Sequence, residues 1–185
     1  GRNARYRAFP ELAEQFGCQR IAVAHHKNDQ AETVLFNIAR GSRLKGAVGM
    51  MPVRDRIIRP LLCVTRSEIE TYLKENGVEY CTDSTNLGND YSRNSIRNQV
   101  MPLLNEINPK ATAHFADFAA GALEAESFLE EYKKQIQQCE VVVLSGSIPQ
   151  GISVDCYHTL TSLAKEQGCK VLLDTSGEAL KQSIE

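Results

Sequence analysis

The chain has 185 residues, 42% of them hydrophobic and 24% charged, with a net charge of −2 and no tryptophan. That is the composition of a soluble globular protein of one domain or two small ones. No run approaches about 18 apolar residues, which excludes a membrane-spanning helix. There is no basic stretch followed by an apolar core, so no secretory leader is expected in the sequence as it stands. Because residue 1 is glycine, the chain reads as a fragment.

The predicted elements alternate between helix and strand. Residues 3–16 read as a helix interrupted by Pro10. Residues 21–24 form a short apolar run, typical of a buried parallel strand. A helix follows from Asp29 to Arg40, with Val34, Leu35 and Ile38 on one face and Gly41 as its stop. Residues 41–55 read as loop and Ile57-Ile58 as a strand stopped by Pro60. Thr65-Arg66-Ser67-Glu68 is a capping box that opens a helix ended by Asn76-Gly77. Residues 78–81 read as a strand and 82–92 as a loop. A helix over 93–107 should kink at Pro102, and a long helix restarts after Asn108-Pro109 and reaches about 138. Strands at 141–144 and 170–174, with helices over 154–167 and from about 178, complete a β-α-β-α pattern. The whole is an α/β layered fold.

Charge divides the chain. Residues 1–110 hold 16 Lys and Arg against 12 Asp and Glu, and residues 111–185 hold 5 against 11. All 12 arginines lie between Arg2 and Arg97, which suits a polyanionic partner. The six cysteines, at 18, 63, 81, 139, 156 and 169, form no C-x-x-C pair. Zinc-ribbon and thioredoxin-like chemistry are thereby excluded, and the thiols read as reduced and the chain as cytoplasmic.

Three clusters could carry chemistry. His25, His26, Asp29 and Glu32 stand where an apolar strand gives way to a helix, the edge of an open α/β sheet at which ligands bind. Asp29 and Glu32 project near one another on the first turn. Asp29 is either a magnesium ligand or a helix cap. Arg40-Gly41-Ser42-Arg43, followed by Gly46 and Gly49, is either a phosphate-approaching loop or plain surface. Arg93 and Arg97, one turn apart behind Asp83-Ser84-Thr85-Asn86, can face one anion or form a solvated face.

Taken in order, His25-His26-x-x-Asp29-Gln30-x-Glu32-Thr33, Arg40-Gly41, Gly46, Gly49-Met50, Arg59-Pro60-Leu61-Leu62, Arg66-x-Glu68-Ile69, Asp83-Ser84-x-Asn86, Arg93-Asn94-x-Ile96-Arg97 and Asn108-Pro109 resemble the tRNA(Ile)-lysidine synthetases. These are ligases of the PP-loop ATP-pyrophosphatase type, and the likeness covers about residues 1–125. It implies a partial parallel-sheet PP-loop domain over 1–108. It also implies ATP and magnesium as cofactors, with tRNA(Ile) and L-lysine as partners. The implied reaction adenylates the wobble cytidine at its C2 oxygen, and the lysine ε-amine then displaces AMP. By the same likeness Asp29, His26 and Arg97 are catalytic, with Asp29 as base or magnesium partner. His25, Arg40, Gly41 and Arg93 border the nucleotide.

No Ser-Gly-Gly-x-Asp-Ser run, the pyrophosphate loop of that family, occurs in the sequence. The expectation is therefore a ligase segment lacking that loop and impaired in activity. Residues 139–185, with Val141-Val142-Val143-Leu144-Ser145-Gly146-Ser147-Ile148-Pro149 and Val171-Leu172-Leu173-Asp174-Thr175-Ser176-Gly177, resemble ribokinase-like sugar kinases. The resulting expectation is a chimera: the ligase-like domain, a helical linker over 109–138, then a kinase fragment, with a junction between 122 and 140. The alternatives are a sugar-phosphate kinase fragment or a non-catalytic α/β module. Open strand edges point to a homo-oligomer.

Overall fold

The computed structural model describes residues 2–80, 92–148, 153 and 155–184. Two compact units divide the chain, residues 1–126 and 127–185. In the first unit the elements are α1 (Arg2–Gln15), β1 (Ile21–Ala22), α2 (Lys27–Ala39), α3 (Leu44–Ala47), β2 (Val53–Arg54), β3 (Ile57–Ile58), a 3-10 turn (Pro60–Cys63), α4 (Arg66–Glu75), α5 (Ser92–Ser95), a π-turn (Ile96–Val100) and α6 (Met101–Ile107). Helix α7 (Ala111–Ile136) contributes residues 111–126 to this unit and 127–136 to the next. Among the described residues, no helix is long and apolar enough to cross a membrane.

The sheet of the first unit has the order β1-β3-β2. Strand β1 pairs in parallel with β3, Ala22 opposite Ile58, and β2 closes the sheet antiparallel, Val53 opposite Ile58. This sheet is mixed rather than purely parallel, because Asp55, at φ 54, turns β2 straight back into β3. The register sets the carboxyl ends of β1 and β3 side by side. The segments leaving those ends carry His25-His26 and Arg59.

Helix α2 begins at His26, whose imidazole Nδ1 accepts the backbone N–H of Asp29 at 3.4 Å. In return the Asp29 carboxylate accepts the His26 backbone N–H at 3.0 Å. This capping box starts the helix two residues earlier than the apolar pattern predicts, since orphan N–H groups need acceptors. The C-terminus is a Schellman motif. The Gly41 N–H bonds to the Ile38 carbonyl and that of Ser42 to the Asn37 carbonyl, with Gly41 at φ +78.

The run after residue 92 packs on α2. Ile96 and Met101 bury against Ala31, with Leu35, Phe36, Leu104 and Phe115 around them. A single kinked helix is expected here, but the structure has three segments. The Met101 N–H reaches back to the Ile96 carbonyl, and Pro102, which has no N–H, follows at the start of α6. A π-turn is how the backbone absorbs that missing donor. A second cluster, Ala47, Val48 and Ala122 with Leu44 and Leu123, seats α3 against α7.

Three further expectations give way. Helix α1 continues through Pro10, anchored by buried Ala13 and the Tyr6–Phe9 ring contact at 5.3 Å between centroids. Residues 41–55 contain α3 and β2 as well as loop, and residues 78–80 form no strand. Cys81 lies outside the described residues, as does the Asp83–Asn86 cluster.

In the second unit, β4 (Val141–Ser145) and β5 (Lys170–Asp174) pair in parallel through α8 (Cys156–Glu166), and α9 (Gly177–Ile184) follows. Ile136, Val142, Ala164 and Cys169 form its core, with Tyr132, Leu144 and Val171 against them. Burial holds the Tyr132 hydroxyl above its ordinary pKa. The 141–144 strand, expected to be buried, covers only one of its faces. Val141, Val143 and Leu172 stand 46%, 62% and 60% exposed.

Candidate active site

The sequence places Asp29 and Glu32 on the first turn and a half of α2, and the fold brings Arg93 and Arg97 onto them. Glu32 is 3% exposed and Asp29 8%. Arg97 grips Glu32 with two hydrogen bonds, Nε to Oε1 at 2.7 Å and Nη2 to Oε2 at 2.8 Å. Its Nη2 also donates to Asp29 Oδ1 at 3.0 Å. Arg93 stands 3.5 Å from Glu32 and 3.7 Å from Asp29, and its Nη2 donates to the Thr33 hydroxyl at 3.2 Å. Thr33 in turn donates to the Asp29 carbonyl at 2.7 Å. Two carboxylates and two guanidiniums thus neutralise one another where either pair alone would be costly to bury.

The hydrogen bonds that Arg97 donates to Glu32 hold its guanidinium above its ordinary pKa, against the opposing effect of burial. His26 borders the cluster, Nε2 3.4 Å from Asp29 Oδ2. Because its Nδ1 accepts a backbone N–H, the imidazole proton sits on Nε2, facing the carboxylate. His25 belongs to the neighbouring strand end, where its Nδ1 accepts from Arg59 Nε at 3.3 Å.

The structure therefore joins Asp29, His26, Arg93 and Arg97, and places His25 beside them. It does not bring Arg40 or Gly41 to that group. Both stand at the opposite end of α2, roughly 16 Å from Asp29 at 1.5 Å per residue. There Arg40 covers the Phe36 ring at 5.2 Å and Gly41 serves as the helix stop. Two further participants take their partners only from the fold. Glu32 shares a spacing with Asp29 visible in sequence, but its ion pair is set by the packing of residue 97. Thr33 belongs to the same sequence motif, but its contact with Arg93 is set by the fold.

Asp29 does not fit a magnesium ion in this arrangement. Its oxygens are committed to Arg97, Arg93 and the His26 N–H, so the position is surrounded by positive charge. Among the described residues no group of three or more His, Cys, Asp or Glu converges on a metal position. The side chains of Arg93 and Arg97 are 37% and 25% exposed beside the carboxylates, within reach of an anion.

Comparison with known proteins identifies the family. The PP-loop domain model matches residues 1–104. A tRNA(Ile)-lysidine synthase of Bacteroides thetaiotaomicron is 38% identical over 154 residues, 83% of this chain and 35% of the relative. That of Parabacteroides distasonis is 45% identical over 139 residues, 73% of this chain and 32% of the relative. That of Bacillus subtilis is 39% identical over 187 aligned residues, 99% of this chain and 39% of the relative. The chain thus spans about a third of the length of these relatives. The expected kinase-like segment over 139–185 gains no support, since the Bacillus subtilis alignment runs through it. Nor do the matches support a missing pyrophosphate loop or impaired activity. With more than half its length matched, including every member of the Asp29–Glu32–Arg93–Arg97 cluster, the chain belongs to the PP-loop domain family.

Proposed function

We propose that this chain takes part in the ATP-dependent attachment of L-lysine to the wobble cytidine of tRNA(Ile). The quartet of buried Asp29 and Glu32 with half-buried Arg93 and Arg97 carries this reading, supported by a lysidine synthase relative that aligns over 99% of the chain. In the reaction the cytidine C2 oxygen bonds to the α-phosphorus of ATP and pyrophosphate leaves. The lysine ε-amine then bonds to C2, and AMP departs with the oxygen.

Negative charge grows on phosphorus oxygens in the first step and on the departing phosphate in the second. Arg93 and Arg97 supply positive charge at the position where it is needed. As they turn toward phosphate, their hold on Asp29 slackens. Asp29, oriented by the His26 N–H and imidazole, then accepts the proton released by the attacking amine. Glu32 retains a guanidinium partner and keeps the arginine pair in register.

The test is AMP release dependent on both tRNA(Ile) and lysine. Activity is expected with the native residues, and Asp29→Asn should lower turnover by about 10²–10⁴-fold, the usual contribution of a positioned base. Unchanged turnover in Asp29→Asn overturns its role.

A further inference from the structure

Arg59, at 7% exposure, carries a buried positive charge in the first unit that the quartet does not use. Its Nε donates to His25 Nδ1 and its Nη1 to the Met51 carbonyl at 2.6 Å. Both acceptors are uncharged when they accept. Among the described residues no carboxylate lies within ion-pair distance of Arg59, in contrast to Arg93 and Arg97, which have two each. Buried guanidiniums are ordinarily paired with an anion.

This cation lines a cleft of about 450 Å³, within the size range of small-molecule sites. Lys27 and Asp117 line it too, and neither forms an ion pair among the described residues. Gln30, whose amide is spent on the Val48 and Met50 backbone, also lines it, and the rest of the wall is largely apolar, with Met50, Pro52, Leu62 and Ala120. A ligand that suits these walls has a flat apolar body, one anionic group for Arg59 and Lys27, and an N–H donor for Asp117. A bare inorganic anion leaves the apolar wall wet. A triphosphate brings more negative charge than two cations neutralise, toward a cleft that also holds a carboxylate. One nucleotide of an RNA strand, with a single phosphodiester charge, a planar base and a ring amino group, meets all three requirements.

We propose that this cleft receives one unstacked nucleotide of the RNA substrate, its phosphate against Arg59 and Lys27 and its base between the apolar walls. Single-stranded RNA is recognised in this manner, by bases splayed out of the stack. The choice of RNA as the source rests on the function proposed above; the charge and shape of the site do not.

Cys63 reports on occupancy, since it is exposed and lines the cleft, whereas Cys18 is exposed and does not line it. The experiment is alkylation of the native chain by N-ethylmaleimide, with and without an anticodon stem-loop RNA of tRNA(Ile). RNA binding is followed in parallel by fluorescence anisotropy. We expect RNA to slow Cys63 modification about tenfold and leave Cys18 unaffected. Arg59→Gln should abolish that protection and lower the slope of log affinity against log salt by about 0.7, the value for one single-strand phosphate contact. Ala120→Trp fills the cleft while leaving the Arg59 side chain in place and should also abolish protection, which covers the case in which Arg59→Gln does not fold.

RNA that does not bind, RNA that binds without protecting Cys63, or protection that persists in the folded variants overturns the assignment. ATP or AMP alone protecting Cys63 as well as RNA does overturns the choice of RNA. Loss of tRNA-dependent AMP release with the footprint intact counts against the ligase reading instead.

Discussion

Arg97 is the residue on which the buried charge of the first unit balances. It supplies the bidentate partner of Glu32 and the shortest cation contact of Asp29. Its removal leaves Arg93 alone against two carboxylates. Arg97→Ala should lower stability by about 3 kcal/mol, the scale for breaking a buried pair, measured by urea denaturation. Glycine positions show a second contrast at this scale. Gly49 has φ +65, and a Cβ there would stand 2.8 Å from Gln30 Oε1. That amide holds the loop by accepting the Met50 N–H and donating to the Val48 and Met50 carbonyls. Gly41, at φ +78, has open space around its missing Cβ. Gly41→Ala should cost about 1 kcal/mol from backbone strain alone. Gly49→Ala should cost about 1 kcal/mol more, because the Gln30 clamp must also shift. Equal midpoint shifts for the two variants would contradict the clamp.

At the scale of elements, the helix caps tie the site together. Thr65 and Glu68 form the capping box of α4, with both the Thr65 N–H and its hydroxyl donating to Glu68 at 2.6 Å. These bonds hold the Glu68 carboxyl below its ordinary value of 4.5. A depressed carboxyl contributes stability that is present above its unfolded value and lost as pH falls through its folded one. The protection of the α4 amides, taken relative to their intrinsic exchange rate at each pH, should therefore fall selectively as pH drops below about 4.5, and Glu68→Gln should remove that pH dependence. The consequence reaches further than α4. The Arg66 N–H donates to the Asn28 side chain, and the Lys27 N–H to the Val64 carbonyl, so the first turns of α2 and α4 are joined.

For the molecule as a whole, two units with unlike surfaces follow one another along the chain. The first carries the arginines and the ion cluster. The second carries a two-stranded parallel sheet with one apolar face open to solvent. Isolated two-stranded sheets are marginal, so its stability rests on the packed face. Val143→Lys, at a 62% exposed position, should change stability by less than about 0.5 kcal/mol and raise solubility. Val142→Ala, at 9% exposure, should cost about 2 kcal/mol. Chemical denaturation of both variants, with concentration-dependent light scattering for Val143→Lys, checks the pair.

Much of the local structure was determined by sequence alone. The Thr65–Glu68 box and the stop at Gly41 depend on residues a few positions apart, and short-range hydrogen bonding enforces them, while the Ile57-Ile58 strand and the β4-α8-β5 order were legible from apolar runs and their spacing. The motif holding His26, Asp29, Arg93 and Arg97 was equally visible. Tertiary structure alone decided how those residues pair, because Arg97 meets Glu32 across 65 positions and Asp29 across 68. It also turned Asp29 from a candidate metal ligand into the partner of two guanidiniums, and set Arg40 and Gly41 at the far end of α2. Arg59 shows the same division: a strand-end arginine in sequence, it becomes a buried cation lining a cleft only once β1 and β3 pair. Burial and charge pairing depend on which surfaces meet, and chain order does not specify that.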